Sequence, residues 1–135
     1  MKVVIGSDSK DFISHIKSLL NSNTTALSCS YENIADLALG HKNSKIIVDI
    51  HSNGSMSECY GCNILKILRE QNLNNPVLLM GWLTRKYILQ NTFNNTTQNK
   101  WLFNTYSNSY RICQLPLSTN ELEQIINELK PFYYE

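Results

Sequence analysis

Two acidic side chains follow apolar, β-branched runs and are the first candidates for chemistry. Asp8 comes after the run Lys2–Gly6, and Asp49 lies near the end of the run Lys45–Ile50. If both runs are neighbouring parallel strands, their carboxyl ends bring the two carboxylates to one edge of a sheet. Such a pair of oxygen ligands suits Mg²⁺, which keeps several of its waters when it binds a protein. Weak magnesium binding by Asp8 and Asp49 is therefore one hypothesis for this chain.

Cys59 and Cys62 form a C-x-x-C pair at the predicted start of a helix. The helix dipole lowers a thiol pKa at such a place, and thioredoxin-like oxidoreductases keep their redox pair there. The pair lies on a long loop rather than directly after a strand, which is not typical of those enzymes. Thiol–disulfide exchange is therefore kept as an alternative function. Cys29 and Cys113 fall in predicted strands and are expected to be small buried hydrophobes.

Aromatic and basic residues interleave between Gly81 and Tyr110. They are Trp82, Tyr87, Trp101, Phe103 and Tyr106, together with Arg85, Lys86 and Lys100. Such mixtures can stack on single-stranded nucleic acid, but Trp, Tyr and Arg are also enriched at protein interfaces. Because exposed aromatics are costly, we expect this polar tract to be irregular and to associate with a partner or a second copy. The interface is predicted to include Trp82, Trp101, Phe103 and Tyr106.

Short apolar runs alternate with amphipathic segments along the chain. The runs predict strands at Lys2–Gly6, Thr24–Cys29, Lys45–Ile50, Val77–Met80 and near Tyr110–Leu115. Helices are predicted at Asp11–Leu20, Ile34–Leu39, a segment burying Ile64, Leu65, Ile67 and Leu68, Leu83–Leu89, and after the capping box Ser118-x-x-Glu121. This alternation predicts an α/β fold with a parallel sheet. At 135 residues we expect a single domain, 1–135, with the doubly wound flavodoxin-like strand order 2-1-3-4-5.

The motifs at the two acidic positions resemble the receiver domain of two-component response regulators, and the likeness covers nearly the whole chain. Val3-Val4-Ile5-Gly6-Ser7-Asp8 is similar to the family's first strand and acidic pair, with Ser7 in place of the first acid. Ile47-Val48-Asp49-Ile50 is similar to its third strand. The resemblance implies that Asp49 is the phosphoacceptor position of a phosphorelay domain. It also implies a Mg²⁺ site formed by Asp8, Asp49 and the backbone carbonyl of His51.

Three further segments resemble the same family. Gly61–Glu70 is similar to its glycine-led third helix, Asn75–Met80 to its fourth strand, and Leu115-Pro116-Leu117-Ser118 to its Lys-Pro turn. In this family the fourth helix, fifth strand and fifth helix form the usual partner surface. The resemblance therefore places a protein-partner or homodimer interface on the 81–115 face.

The chain departs from the family where a phosphoryl group would be held. Gly81 stands where the family has Thr or Ser, and Leu115 where it has Lys. Phosphoryl transfer to a carboxylate needs a divalent metal, and usually a cation and a hydroxyl that hold the phosphoryl oxygens. We therefore expect a degenerate, pseudo-receiver-like module that is not an enzyme and signals through protein–protein interaction without phosphorylation. The alternative is a working receiver that accepts phosphate on Asp49 with Mg²⁺.

Composition and charge exclude several other classes. Hydrophobic residues make up 42% of the chain, which rules out a disordered protein. Twelve basic and eleven acidic residues give a net charge of +1, without the basic excess of nucleic-acid and membrane-surface binders. No apolar run approaches the ~20 residues of a membrane span, and the start lacks the features of a signal peptide. We expect a cytoplasmic protein with reduced cysteines and with neither nucleic acid nor membrane as partner.

Overall fold

The computed structural model describes residues 1–50, 60–82 and 110–131 of the chain. Within these residues five strands form one sheet: β1 (Lys2–Gly6), β2 (Thr25–Cys29), β3 (Lys45–Asp49), β4 (Val77–Gly81) and β5 (Tyr110–Gln114). All neighbouring strands are parallel, and their order is β2-β1-β3-β4-β5. The predicted flavodoxin-like sheet and its strand order are confirmed.

The helices in the described residues connect the strands on both sides of the sheet. They are α1 (Lys10–Leu19), a 3₁₀ turn (Tyr31–Asn33), α2 (Ile34–Gly40), α3 (Tyr60–Glu70) and α4 (Thr119–Glu128). The Ser9 hydroxyl accepts the N–H of Phe12 and caps α1. Ser118 and Glu121 form the predicted capping box of α4. The helix predicted at Leu83–Leu89 lies outside the described residues.

The sheet is buried on both faces, as the continuous apolar runs of β1, β3 and β4 predict for parallel strands. Successive strand residues point to opposite faces. One face, with Val3, Ile5 and Ile47, packs against α1 and α4. The other, with Val4 and Val48, packs against α2 and α3. None of the helices described is long and apolar enough to cross a membrane.

Gly6 at the end of β1 allows α2 to lie close to the sheet. A Cβ atom at this position would overlap the Cδ1 and Cγ1 atoms of Ile34, the first residue of α2. Ile34 itself is fully buried. Because Gly6 has no side chain, Ile34 can pack directly against the end of β1, and α2 lies close to the sheet.

The expectation that Ile67 is buried in α3 is wrong. Its side chain is 38% exposed, whereas those of Ile64, Leu65 and Leu68 are 2% exposed or less. With 3.6 residues per turn, Ile67 lies about 100° around the helix axis from Leu68 and falls outside the buried stripe. It lies instead on the side of α3 that borders α2.

Candidate site at the carboxyl edge of the sheet

The two acidic residues singled out from the sequence follow adjacent strands. β1 and β3 are parallel neighbours, and their register pairs Gly6 with Val48. Ser7 and Asp8 therefore leave β1 at the same edge of the sheet at which Asp49 ends β3. The edge is the carboxyl edge, where ligands bind in doubly wound folds.

The hydroxyl of Ser7 is fixed between two partners. Ser7 Oγ donates to Asp49 Oδ2 at 2.8 Å and accepts the backbone N–H of Ser9 at 2.9 Å. Its own N–H donates to the carbonyl of Cys29 on β2 at 3.2 Å, and the residue is only 2% exposed. A neutral hydroxyl therefore contacts Asp49 where the resemblance implies a second carboxylate. From the sequence, Ser7 was interpreted only as a replacement for an acidic residue. Its position directly before Asp8, at the end of a predicted strand, could have indicated that its hydroxyl lies at the same edge of the sheet.

Asp8 is solvent exposed and has a structural contact of its own. Its Oδ1 atom accepts the backbone N–H of Tyr31 at 3.0 Å. Tyr31 opens the 3₁₀ turn that precedes α2. The carboxylate of Asp8 thereby links the end of β1 to the start of the α2 segment.

Positions 81 and 115 are neighbours at the same edge of the sheet. The backbone N–H of Leu115 donates to the carbonyl of Gly81 at 2.7 Å, and the Leu115–Pro116 peptide bond is cis. Leu115 is 1% exposed and packs into the core on the α1 and α4 face. Neither residue offers a hydroxyl or an ammonium group to the edge. Among the described residues, the atom nearest to a Cβ built at Gly81 would be Ile50 Cδ1, 4.0 Å away.

Trp82, one of the predicted interface aromatics, follows β4 and is 58% exposed. Its ring lies 5.3 Å from the ring of His15 on α1, with the two planes tilted by 40°. The Nε2 atom of His15 is buried and has no hydrogen-bond partner in the part of the chain that the structure describes. Trp101, Phe103 and Tyr106, the other predicted interface residues, lie outside the described residues.

The thiols fall into two groups. Cys29 is partly buried and Cys113 is buried, and burial raises the pKa of Cys29 to about 11. Cys59 lies outside the described residues. Cys62 is in the first turn of α3, where the structure describes the backbone and not the side chain. The geometry of the C-x-x-C pair is therefore outside what the structure describes.

The described residues do not complete the expected magnesium site by themselves. Among residues 1–50, 60–82 and 110–131, no three side chains of the His, Cys, Asp and Glu types cluster so that they could hold a metal. Asp8 and Asp49 each accept a hydrogen bond from a protein donor. His51, the third ligand implied by the resemblance, lies outside the described residues.

Comparison with known proteins adds no family to this geometry. No protein-family model matches the chain, and no curated protein matches it significantly. The inference about function therefore rests on the fold and on the residues at the carboxyl edge.

Proposed function

We propose that this chain is a degenerate receiver-like signalling module that acts by binding a protein partner, independently of phosphorylation. The hydrogen bond from Ser7 Oγ to Asp49 Oδ2 carries the proposal. It occupies an oxygen of the phosphoacceptor-like carboxylate with a neutral donor. Because Ser7 has no negative charge, the edge also offers a divalent cation fewer anionic oxygens than a pair of acids would.

Gly81 and Leu115 support the same proposal. An acyl phosphate on Asp49 would carry charged oxygens that need donors close by. The two positions that the resemblance assigns to such donors carry no side-chain donor, and Leu115 is committed to the core. The resemblance further suggests signalling in the cytoplasm, and the net charge of +1 favours a protein partner over a nucleic acid.

The test is a titration with Mg²⁺ and beryllofluoride, which imitates an aspartyl phosphate, followed by amide NMR. We expect no saturable shifts at the amides of Asp8, Asp49 and Gly81. The matched control is a Ser7→Asp/Gly81→Thr variant, with Leu115→Lys added if the double variant retains native amide dispersion. If saturable amide shifts occur in the control variant and not in the parent, the substituted positions are the reason that the parent does not bind beryllofluoride.

Saturable shifts in the parent would instead support a working receiver that accepts phosphate on Asp49. Partner binding has a separate readout. Trp82→Ala and Trp101→Ala on the 81–115 face should weaken self- or partner association more than Asp8→Asn or Asp49→Asn does. The opposite ranking would also favour the phosphorylated receiver.

A further inference from the structure

A surface groove of about 560 Å³ runs between α3 and α2 with the turn that precedes α2, on one face of the sheet, above the core that the two helices share. Its apolar lining comes from Tyr31 and Ala35 on one side and from Ile64 and Ile67 on the other. Ile64 reaches into the core, while Ile67 is 38% exposed. We call this feature the α2–α3 groove.

Exposed apolar side chains lie in and beside the α2–α3 groove. Among the described residues, the large hydrophobics that are more than a third exposed are Met1, Leu39, Ile67 and Trp82. Ile67 lines the groove, and Leu39 follows Ala35 by one helical turn on the same side of α2. Single exposed hydrophobics need no explanation, but neighbouring ones beside a concavity are typical of an interaction site.

The border of the groove is acidic. Glu32 and Glu70 line it together with one cation, Lys66, and Asp36 is exposed next to Ala35. None of these three carboxylates forms an ion pair within the described ranges, where the ion pair found is Arg111–Glu128 on the other side of the sheet. A binding partner is therefore favoured if it brings positive charge.

We propose that the α2–α3 groove binds an amphipathic helix of a protein partner that carries Lys or Arg on its flank. The groove along two packed helices suits a third helix, whose apolar residues at i, i+3 and i+7 would contact Ala35, Ile64 and Ile67. A second copy of the chain fits less well. A two-fold contact would place the same acidic border against itself.

This inference shares with the proposed function the premise that the domain binds protein, but it concerns a different surface, whose lining includes none of Ser7, Asp8 and Asp49 and which meets that edge of the sheet at the Asp8–Tyr31 hydrogen bond. The two therefore fail separately. Saturable shifts with beryllofluoride would overturn the proposed function but would not decide whether the groove binds a helix. The peptide experiment below tests only the binding of a helix to the groove.

The test is an amide NMR titration with a panel of stapled helical peptides of about four turns, each with a Leu stripe and Lys flanks. Two control peptides keep the length, one with the apolar positions scrambled and one with Glu in place of Lys. We expect saturable shifts confined to α2, α3 and the 3₁₀ turn. Ile67→Ser should weaken binding by ~10-fold or more, as loss of a central apolar contact does. Glu70→Lys should weaken it several-fold and reduce its salt dependence.

Ile13→Ser is the matched control, since it makes the same Ile→Ser change on α1, which packs on the other face of the sheet. It should leave the peptide affinity unchanged. The proposal would be overturned if no peptide of the panel bound saturably, if the scrambled peptide bound equally well, or if the shifts centred on Trp82. Unchanged affinity in Ile67→Ser would also overturn it. Concentration-dependent dimerisation that Ile67→Ser abolishes would assign the groove to a second copy and overturn the heterologous partner.

Discussion

The hydroxyl of Ser7 has one proton to donate, and its surroundings decide where that proton goes. The N–H of Ser9 already points at the oxygen, so the proton is directed to Asp49. Ser7 is almost fully buried, and a buried donor or acceptor without a partner is costly. At the scale of the residue, the candidate site is therefore a polar link between β1, β3 and the start of α1.

Removing that hydroxyl should cost stability. Ser7→Ala removes the hydrogen bonds that the buried hydroxyl makes with Asp49 Oδ2 and with the N–H of Ser9, and we expect the free energy of unfolding to fall by about 1–3 kcal/mol. Urea denaturation followed by circular dichroism measures it. Ser14→Ala, at an exposed position of α1, is the control and should stay within about 0.5 kcal/mol of the parent. A loss in Ser7→Ala no larger than the control would show that the link is dispensable.

The thiol of Cys29 should be inert in the folded protein. With its pKa raised to about 11 by burial, roughly one thiol in a thousand is ionised at pH 8. Cys113 is only 8% exposed and should also react slowly. Titration with a chromogenic disulfide reagent, on the parent and on a Cys59→Ser/Cys62→Ser variant, checks this. If the parent is labelled fast and the double variant is not, the reactive thiols are those of the C-x-x-C pair. That result would support the oxidoreductase alternative.

At the scale of the element, the packing of α2 on the sheet depends on the lack of a side chain at Gly6. Gly6→Ala places a Cβ atom where Ile34 now packs, so α2 must shift or Ile34 must leave its rotamer. We expect a loss of about 1–3 kcal/mol in the free energy of unfolding. Gly40→Ala, at the other end of α2, is the matched control, because a Cβ there meets no atom of the described part of the chain within 4 Å. It should be neutral or slightly stabilising.

Gly6→Ala/Ile34→Val would separate crowding from a general intolerance of alanine at the strand end. If Ile34 is the obstacle, the smaller valine restores part of the lost stability. A Gly6→Ala variant as stable as Gly40→Ala would contradict the close packing of α2 on β1.

Elements were predictable where one physical effect dominates. The capping box at Ser118 and Glu121 and the unbroken apolar runs of β3 and β4 specify their structures locally, and the bounds agree to within a residue or two. Ile67 was not predictable in this way, since an apolar residue at the margin of a helical stripe is buried only if a neighbouring helix covers it. The strand order located the carboxyl edge, but the partner of the Ser7 hydroxyl depends on side-chain geometry that no sequence pattern encodes.

At the scale of the whole molecule, β5 and α4 are joined by a charged contact on the surface. Arg111 Nη1 donates to Glu128 Oε2 at 2.9 Å, and Gln124 Nε2 donates to Glu128 Oε1 at 3.2 Å. These hydrogen bonds, that of Arg111 above all, lower the pKa of Glu128 below its usual 4.5. A carboxyl group with a lowered pKa in the folded state contributes stability above its unfolded pKa and loses it as the pH falls through the folded value.

The acid limb of the stability profile should therefore depend on Glu128. In Glu128→Gln we expect the midpoint of urea unfolding to fall less steeply below about pH 4.5 than in the parent. The difference should shrink in high salt, because the pair is exposed. Arg111→Gln should produce the same flattening, and an unchanged slope in both variants would mean that the contact is absent in solution.

The strand order also governs how the sheet can assemble as the chain leaves the ribosome. Every strand after β1 pairs with one synthesised before it: β2 and β3 add to β1, β4 to β3 and β5 to β4. The sheet can therefore grow outward from its first strand without waiting for downstream sequence, in keeping with domains that form from the N-terminus during synthesis. Until Tyr110–Gln114 arrives, however, the wholly buried strand Val77–Gly81 is an open edge. A nascent or truncated chain that stops short of Tyr110 would present that apolar edge to other chains and is the form most prone to aggregate.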